Sequence, residues 1–143
     1  MNRTFDMKLR KEPFDRIRHG AKTIEYRLND EKRSLLRIGD YIRFTEIINN
    51  DNSRIITVRI EDIILAPTFT ELKEKLILAG MLGDEPFYPK TMRKYYSLAD
   101  EKRYGVMGIK IKHISNMDRI IHSRKHTHIY VGVSCFPHSF PYL

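Results

Sequence analysis

GAKTIEYR, residues 20–27, sets a lysine, a glutamate and an arginine within six residues of a segment that otherwise alternates like a strand. Ile24, Tyr26 and Leu28 form one set; Thr23, Glu25 and Arg27 form the other. One set can enter a core while Glu25 and Arg27 share the opposite, polar face. Lys22 falls at the strand's start, where its long side chain can swing to either side. Gly20 closes the short helical pattern before it, because glycine accepts the left-handed conformation that ends a helix. Two readings of the charges stand side by side. They are solvated sheet-edge residues, or they hold an anion. In the second reading Arg27 offers planar bidentate hydrogen bonds and Lys22 a mobile point charge, while Glu25 orients Arg27 or acts on a proton. An arginine close to Lys22 also lowers the lysine's pKa, which suits it to act as base or nucleophile.

Outward from the octet, the chain keeps alternating between the two periods. TFDMKL (4–9) sets Phe5, Met7 and Leu9 against Thr4, Asp6 and Lys8, the pattern of a half-buried strand. Pro13 suits a first helical turn, and Phe14 and Ile17 share one face, so a short helix runs from about 12 to 19. Downstream, Ile38-Gly39-Asp40 reads as a tight turn feeding a strand over 40–47 with Ile42 and Phe44 on one face. NNDNS (49–53) is a loop, and RIITVRIEDII (54–64) is a long strand with Ile56, Val58 and Ile60 inward. Thr68 and Glu71 fit a capping box for a helix carrying Phe69, Leu72, Leu76 and Ala79 and ending at Gly80. A further helix is expected over 91–100 with Met92, Tyr95 and Tyr96, and YGVMGIKI returns to strand. This order predicts an α+β fold, a small, partly open β-barrel with two or three short helices. Residues 1–114 form that domain. Residues 115–143 form a C-terminal extension to which the pattern assigns only one candidate strand, at 128–134.

Size and composition narrow the functions. The 143 residues suit one core, and 41% hydrophobic with 31% charged residues is a globular composition. No apolar run approaches the roughly 20 residues that cross a bilayer, and the charged MNRTFDMKLRKEPF differs from a signal peptide. A cytoplasmic location without a membrane partner is therefore expected. The net charge of +8 favours a polyanionic partner such as nucleic acid. A lone cysteine, Cys135, rules out a disulfide within the chain and offers no zinc site of the usual spacing. His122, His126 and His128 have spacings that hold zinc, with His113, Cys135 or His138 as a third ligand, but a polar tail accounts for them as well. No metal site is assigned. Gly105 and Gly108 lack the third glycine and the lysine of a phosphate loop, and GxSxG and HExxH are absent, so no cofactor is expected. Oligomeric state is not fixed.

Gly20-x-Lys22-x-x-Glu25-x-Arg27 resembles the GxKxxExR signature of the ASCH domain (activating signal cointegrator homology). The helix before Gly20, the turn at 38–40 and the closing strand at 104–111 fall in the same order as in that family. The likeness spans roughly residues 4–114. It implies a PUA-like barrel with a cleft that binds RNA, lined by Lys22, Glu25 and Arg27, with Gly20 setting the turn that places Lys22. Changing both Lys22 and Arg27 to alanine is then expected to weaken binding. Some relatives are enzymes. One branch deacetylates N4-acetylcytidine with a Lys-Thr-Glu set whose lysine matches Lys22. Its threonine lies three residues on, where this chain has Glu25; Thr23 is only adjacent, and no alignment chooses among Glu71, Glu74 and Glu85 for its glutamate. Another branch cleaves RNA. The expected ligand is RNA, a nucleotide or a nucleoside. As an enzyme, an amidohydrolase or a ribonuclease, the chain would use Lys22 as base or nucleophile and Glu25 as its partner. Binding is favoured, because Glu25 stands in the threonine's place. Arg43 and Arg59, on polar strand faces, would extend the basic surface, and Tyr41, Tyr88, Tyr95 and Tyr96 are candidates for base stacking.

Overall fold

A computed structural model describes residues 2–48 and 53–116. The His122–His128 cluster, Cys135, His138 and nearly all of the C-terminal extension lie outside the described residues. Strand β1 (Thr4–Leu9) leads through helix α1 (Lys11–Arg18) to β2 (Ile24–Leu28). Strands β3 (Tyr41–Glu46) and β4 (Ile55–Ala66) follow, then helices α2 (Phe69–Leu78) and α3 (Leu98–Tyr104), and last β5 (Val106–His113). The sheet runs β1-β3-β4-β5-β2, with β1 and β3 parallel and the other neighbours antiparallel. It is a mixed half-barrel in an α+β fold, as the order of elements implies. No helix among the described residues is long and apolar enough to cross a membrane.

Two apolar clusters hold it together. The first fills the barrel: Phe5, Met7 and Leu9 of β1, Phe14 and Ile17 of α1, and the inward residues of β3 and β4 meet Met107, Ile109 and Ile111 of β5. The second lies outside, where Phe69, Leu72 and Leu76 of α2 cover Ile24, Tyr26 and Leu28 of β2. β4 serves both because a register shift between Ile60 and Asp62 changes its phase: Ile56, Val58 and Ile60 face the first cluster, Ile64 and Ala66 the second.

Thr68 caps α2 as expected, its hydroxyl accepting from the Glu71 amide at 3.1 Å. The helix expected over 91–100 is instead two pieces. A 3-10 segment, Pro89–Lys94, is followed by α3, which starts after Ser97. Ser97 is the reason for the break: its side chain accepts from the Asp100 amide at 3.0 Å, an N-cap inside what reads as one helical run.

Candidate functional site

The octet begins where α1 stops. Gly20 takes φ +81°, a value that strains any residue with a Cβ. The turn lets the amides of Ala21 and Lys22 both donate to the Arg16 carbonyl, at 2.9 and 3.0 Å, so Lys22 is pinned against the end of α1 before β2 starts.

Pairing with β5 then decides where each β2 side chain goes. Ile24, Tyr26 and Leu28 oppose Lys110, Gly108 and Val106, while Glu25 and Arg27 oppose Ile109 and Met107. Directly opposed residues share a face, and Ile109 and Met107 belong to the barrel core. The expectation that Glu25 and Arg27 occupy an exposed or cleft-lining face is therefore corrected. Both faces of β2 are covered, and Glu25 and Arg27 are 0% and 1% exposed.

What results is a buried ion triad. The Glu25 carboxylate lies 2.6 Å from Arg27 Nη1 and 3.4 Å from Lys22 Nζ. Lys22 also donates to the Ile24 carbonyl at 2.6 Å, and Arg27 Nη1 to that of Tyr26 at 3.0 Å. Two cations share one anion. Burial holds the Lys22 pKa below its ordinary value; Glu25 opposes this, and the nearby Arg16 and Arg27 reinforce it. Arg27 Nε and Nη2 make no hydrogen bond among the described residues.

Lys22 alone of the three reaches open space. Its ammonium sits 4.7 Å from the centre of the Tyr26 ring and borders a cleft of about 390 Å³. Arg10 and Arg16, flanking the start of α1 and within it, and Lys94 supply three more cations, against one carboxylate, Glu12. Aromatic rings complete the wall. Phe87 stacks on Tyr26 with centroids 3.9 Å apart, Tyr95 accepts from Arg10 at 3.0 Å, and Tyr88 is 61% exposed, with Lys73 Nζ 5.5 Å from its ring centre.

A second chamber of about 750 Å³ adjoins it, sharing Glu12, Arg16 and Pro86. Here Glu85 binds Thr23 through both the amide, at 2.8 Å, and the hydroxyl, and Lys110 donates to the same hydroxyl at 3.1 Å. Glu85 thus ties the loop that carries Phe87 and Tyr88 to the start of β2. Of the three glutamates weighed from sequence, Glu85 lines this chamber, whereas Glu71 and Glu74 are exposed on α2 and line neither.

The expected site residues therefore separate. Lys22 enters the first cleft and Gly20 lines the second; Glu25 and Arg27 lie behind Lys22 in the core. Arg43 is apart, three strands along the sheet, with its Nε 2.6 Å from Asp6. Tyr88 and Tyr95 line the cleft as stacking requires, but Tyr96 is buried against Phe69 and Tyr41 borders neither chamber. Arg10, Arg16, Lys94 and Phe87 were not legible as site residues. The one signal for Arg16 is its place in the last turn before Gly20. No group of three or more metal-ligating side chains occurs among the described residues.

Comparison with known proteins agrees with the signature. The ASCH domain family model matches residues 7–115. The crystal structure of hypothetical protein PH0355 aligns at 32% identity with a TM-score of 0.62, covering 78% of this chain and 99% of that one. The solution structure of protein PF0455 from Pyrococcus furiosus aligns at 30% identity with a TM-score of 0.53, covering 80% and 98%. No curated protein matches the chain. The chain belongs to the ASCH domain family.

Proposed function

We propose that this ASCH domain binds RNA or a nucleotide in the cleft that Lys22 enters. One observation carries the reading: four cations and four aromatic rings converge on one concavity with a single carboxylate among them. Phosphate is drawn by Arg10, Arg16, Lys22 and Lys94, and a base has the largely exposed ring of Tyr88 to pack on. A cavity of about 390 Å³ lies near the lower end of the roughly 300–1,000 Å³ usual for ligand pockets. Glu25 and Arg27 serve the site from behind. They hold Lys22 in place and do not touch the ligand. Changing Arg27 together with Lys22 therefore tests the core as much as the cleft. Arg10→Ala and Lys94→Ala, at exposed positions, are cleaner probes. Each is expected to weaken single-stranded RNA binding and to lower the slope of log K against log salt by about 1. Unchanged affinity and slope in both would remove the cleft from consideration.

A second reading, hydrolysis of a modified nucleoside or of RNA, is favoured by the depressed pKa of Lys22. Such a lysine gives up its proton more readily than an ordinary one and can act as base or nucleophile, with Glu25 in contact to exchange a proton. Incubation with N4-acetylcytidine and with single-stranded RNA, beside a Lys22→Met control, separates the readings. Lysine-dependent loss of acetyl groups or phosphodiester bonds supports the enzyme; intact substrates leave binding as the function.

A further inference from the structure

The two adjoining chambers carry opposite charge. The cleft at Lys22 has four cations against Glu12, a formal +3. The chamber beyond Arg16 and Pro86 has Arg16 and Lys110 against Glu12, Asp84 and Glu85, a formal −1. A strand of nucleic acid carries a negative charge at every residue, so a continuous groove for one needs cations throughout. This groove has them in excess only on one side of Arg16.

From this asymmetry we propose that the site takes one nucleotide, free or at the end of a strand, and does not accept the interior of a strand. The proposal rests on the binding reading above and specifies its ligand. The phosphate lies toward Arg10 and Lys94, and the ring packs against Tyr88 and Tyr95, the accessible rings of the aromatic wall. The uncharged edge of the nucleoside points at the acidic chamber. There the Glu85 and Asp84 carboxylates accept hydrogen bonds from amino or hydroxyl groups and repel a second phosphate. Glu85 is fixed for this by its double contact with Thr23, so the acidic wall does not swing aside to let a strand through.

The test compares uridine 5′-monophosphate, linear oligouridylates of two and eight nucleotides, and a circular oligouridylate of eight. Binding to the full chain is measured over a salt series. The proposal expects the monophosphate and both linear oligomers to bind within about threefold of one another, with a salt slope that does not grow with length. The circular oligomer, which has no end, is expected to bind about tenfold more weakly or worse. Affinity and slope that rise with length, or circular and linear oligomers of equal affinity, would overturn the proposal while leaving the binding reading intact. Failure of every probe to bind would overturn both. Asp84→Lys, which reverses a charge at an exposed position of the second chamber, gives an independent arm. It is expected to strengthen the linear octamer relative to the monophosphate by about threefold or more, and an unchanged ratio counts against the proposal.

Discussion

Two sets of buried charges in this protein use the same chemistry to different ends. On β1 and β3, Asp6 and Arg43 face each other in register with their charged atoms 2.6 Å apart. On β2, Glu25 is shared by Arg27 and Lys22, one anion to two cations. The Asp6–Arg43 pair joins two parallel strands. The unbalanced triad leaves a cation in excess, and Lys22, its least buried member, presents that excess to the cleft. Burying an unmatched charge is costly, and structures that do so often place it at a site where a ligand or a proton supplies the balance. On the binding reading proposed above, an anion at Lys22 would supply the missing counter-charge.

Removing the shared anion should break the triad most severely. Glu25→Gln leaves two cations in the core without a counter-charge and is expected to destabilise the fold by about 3–5 kcal/mol, read from the denaturant midpoint at unchanged slope. Asp6→Asn removes one ion-pair contact of Arg43 and should lose less. If the two variants lose equally, the triad is no more frustrated than the pair.

Lys22→Met runs the comparison in the other direction, converting the triad into a balanced Glu25–Arg27 pair. Its midpoint is expected at or above that of the wild type, since an apolar chain of similar length replaces a desolvated ammonium. The pH dependence should change with it. The folded pKa of Lys22 is below its ordinary 10.5, so between those values the unfolded chain binds the extra proton. Stability in the wild type therefore falls as pH drops from 10.5 through the folded value. Lys22→Met should flatten that limb. Tyr26 and Tyr96, raised above the ordinary 10.0 chiefly by burial, act oppositely in both proteins, withdrawing stability as pH rises beyond 10.0.

The smallest effect belongs to the partly exposed cluster in which Arg54 contacts Asp15 and the buried Glu46, at 2.7 and 2.8 Å. Hydrogen bonds from Arg54 hold the Glu46 carboxyl below its usual range; those from Lys11 and Arg54 do the same for Asp15. Their contribution is present above the ordinary carboxylate values and is lost as pH falls through the lowered ones. Arg54→Ala should lower neutral stability modestly, because partly exposed pairs are screened, and so shift acid unfolding slightly upward in pH. An acid-unfolding midpoint that did not move would show that this cluster adds nothing.

The strands were legible because alternation is local: Phe5, Met7 and Leu9 on β1 and Ile56, Val58 and Ile60 on β4 face inward as the pattern predicts. The end of α1 was legible because Gly20 meets a backbone need, and the family because the octet keeps its spacing. The burial of Glu25 and Arg27 was not. Alternation shows that two residues share a face, but only the neighbouring strand shows what that face meets, and here it meets Ile109 and Met107. The cleft was half legible. Lys22, Tyr88 and Tyr95 could be named from residue type, whereas Lys94, Phe87 and Arg10 come together from segments that only folding makes neighbours. The break at Ser97 was missed because a run of helix formers masks a cap that acts through its hydroxyl alone.

On the proposed binding reading, the excess cation of the triad serves a ligand and not the fold. This is tested most directly by measuring, on one preparation of Lys22→Met, both the denaturant midpoint and the affinity for uridine 5′-monophosphate. A retained or raised midpoint with binding weakened by about tenfold or more is the expected result. Wild-type affinity, or a loss of stability as large as that of Glu25→Gln, would contradict it.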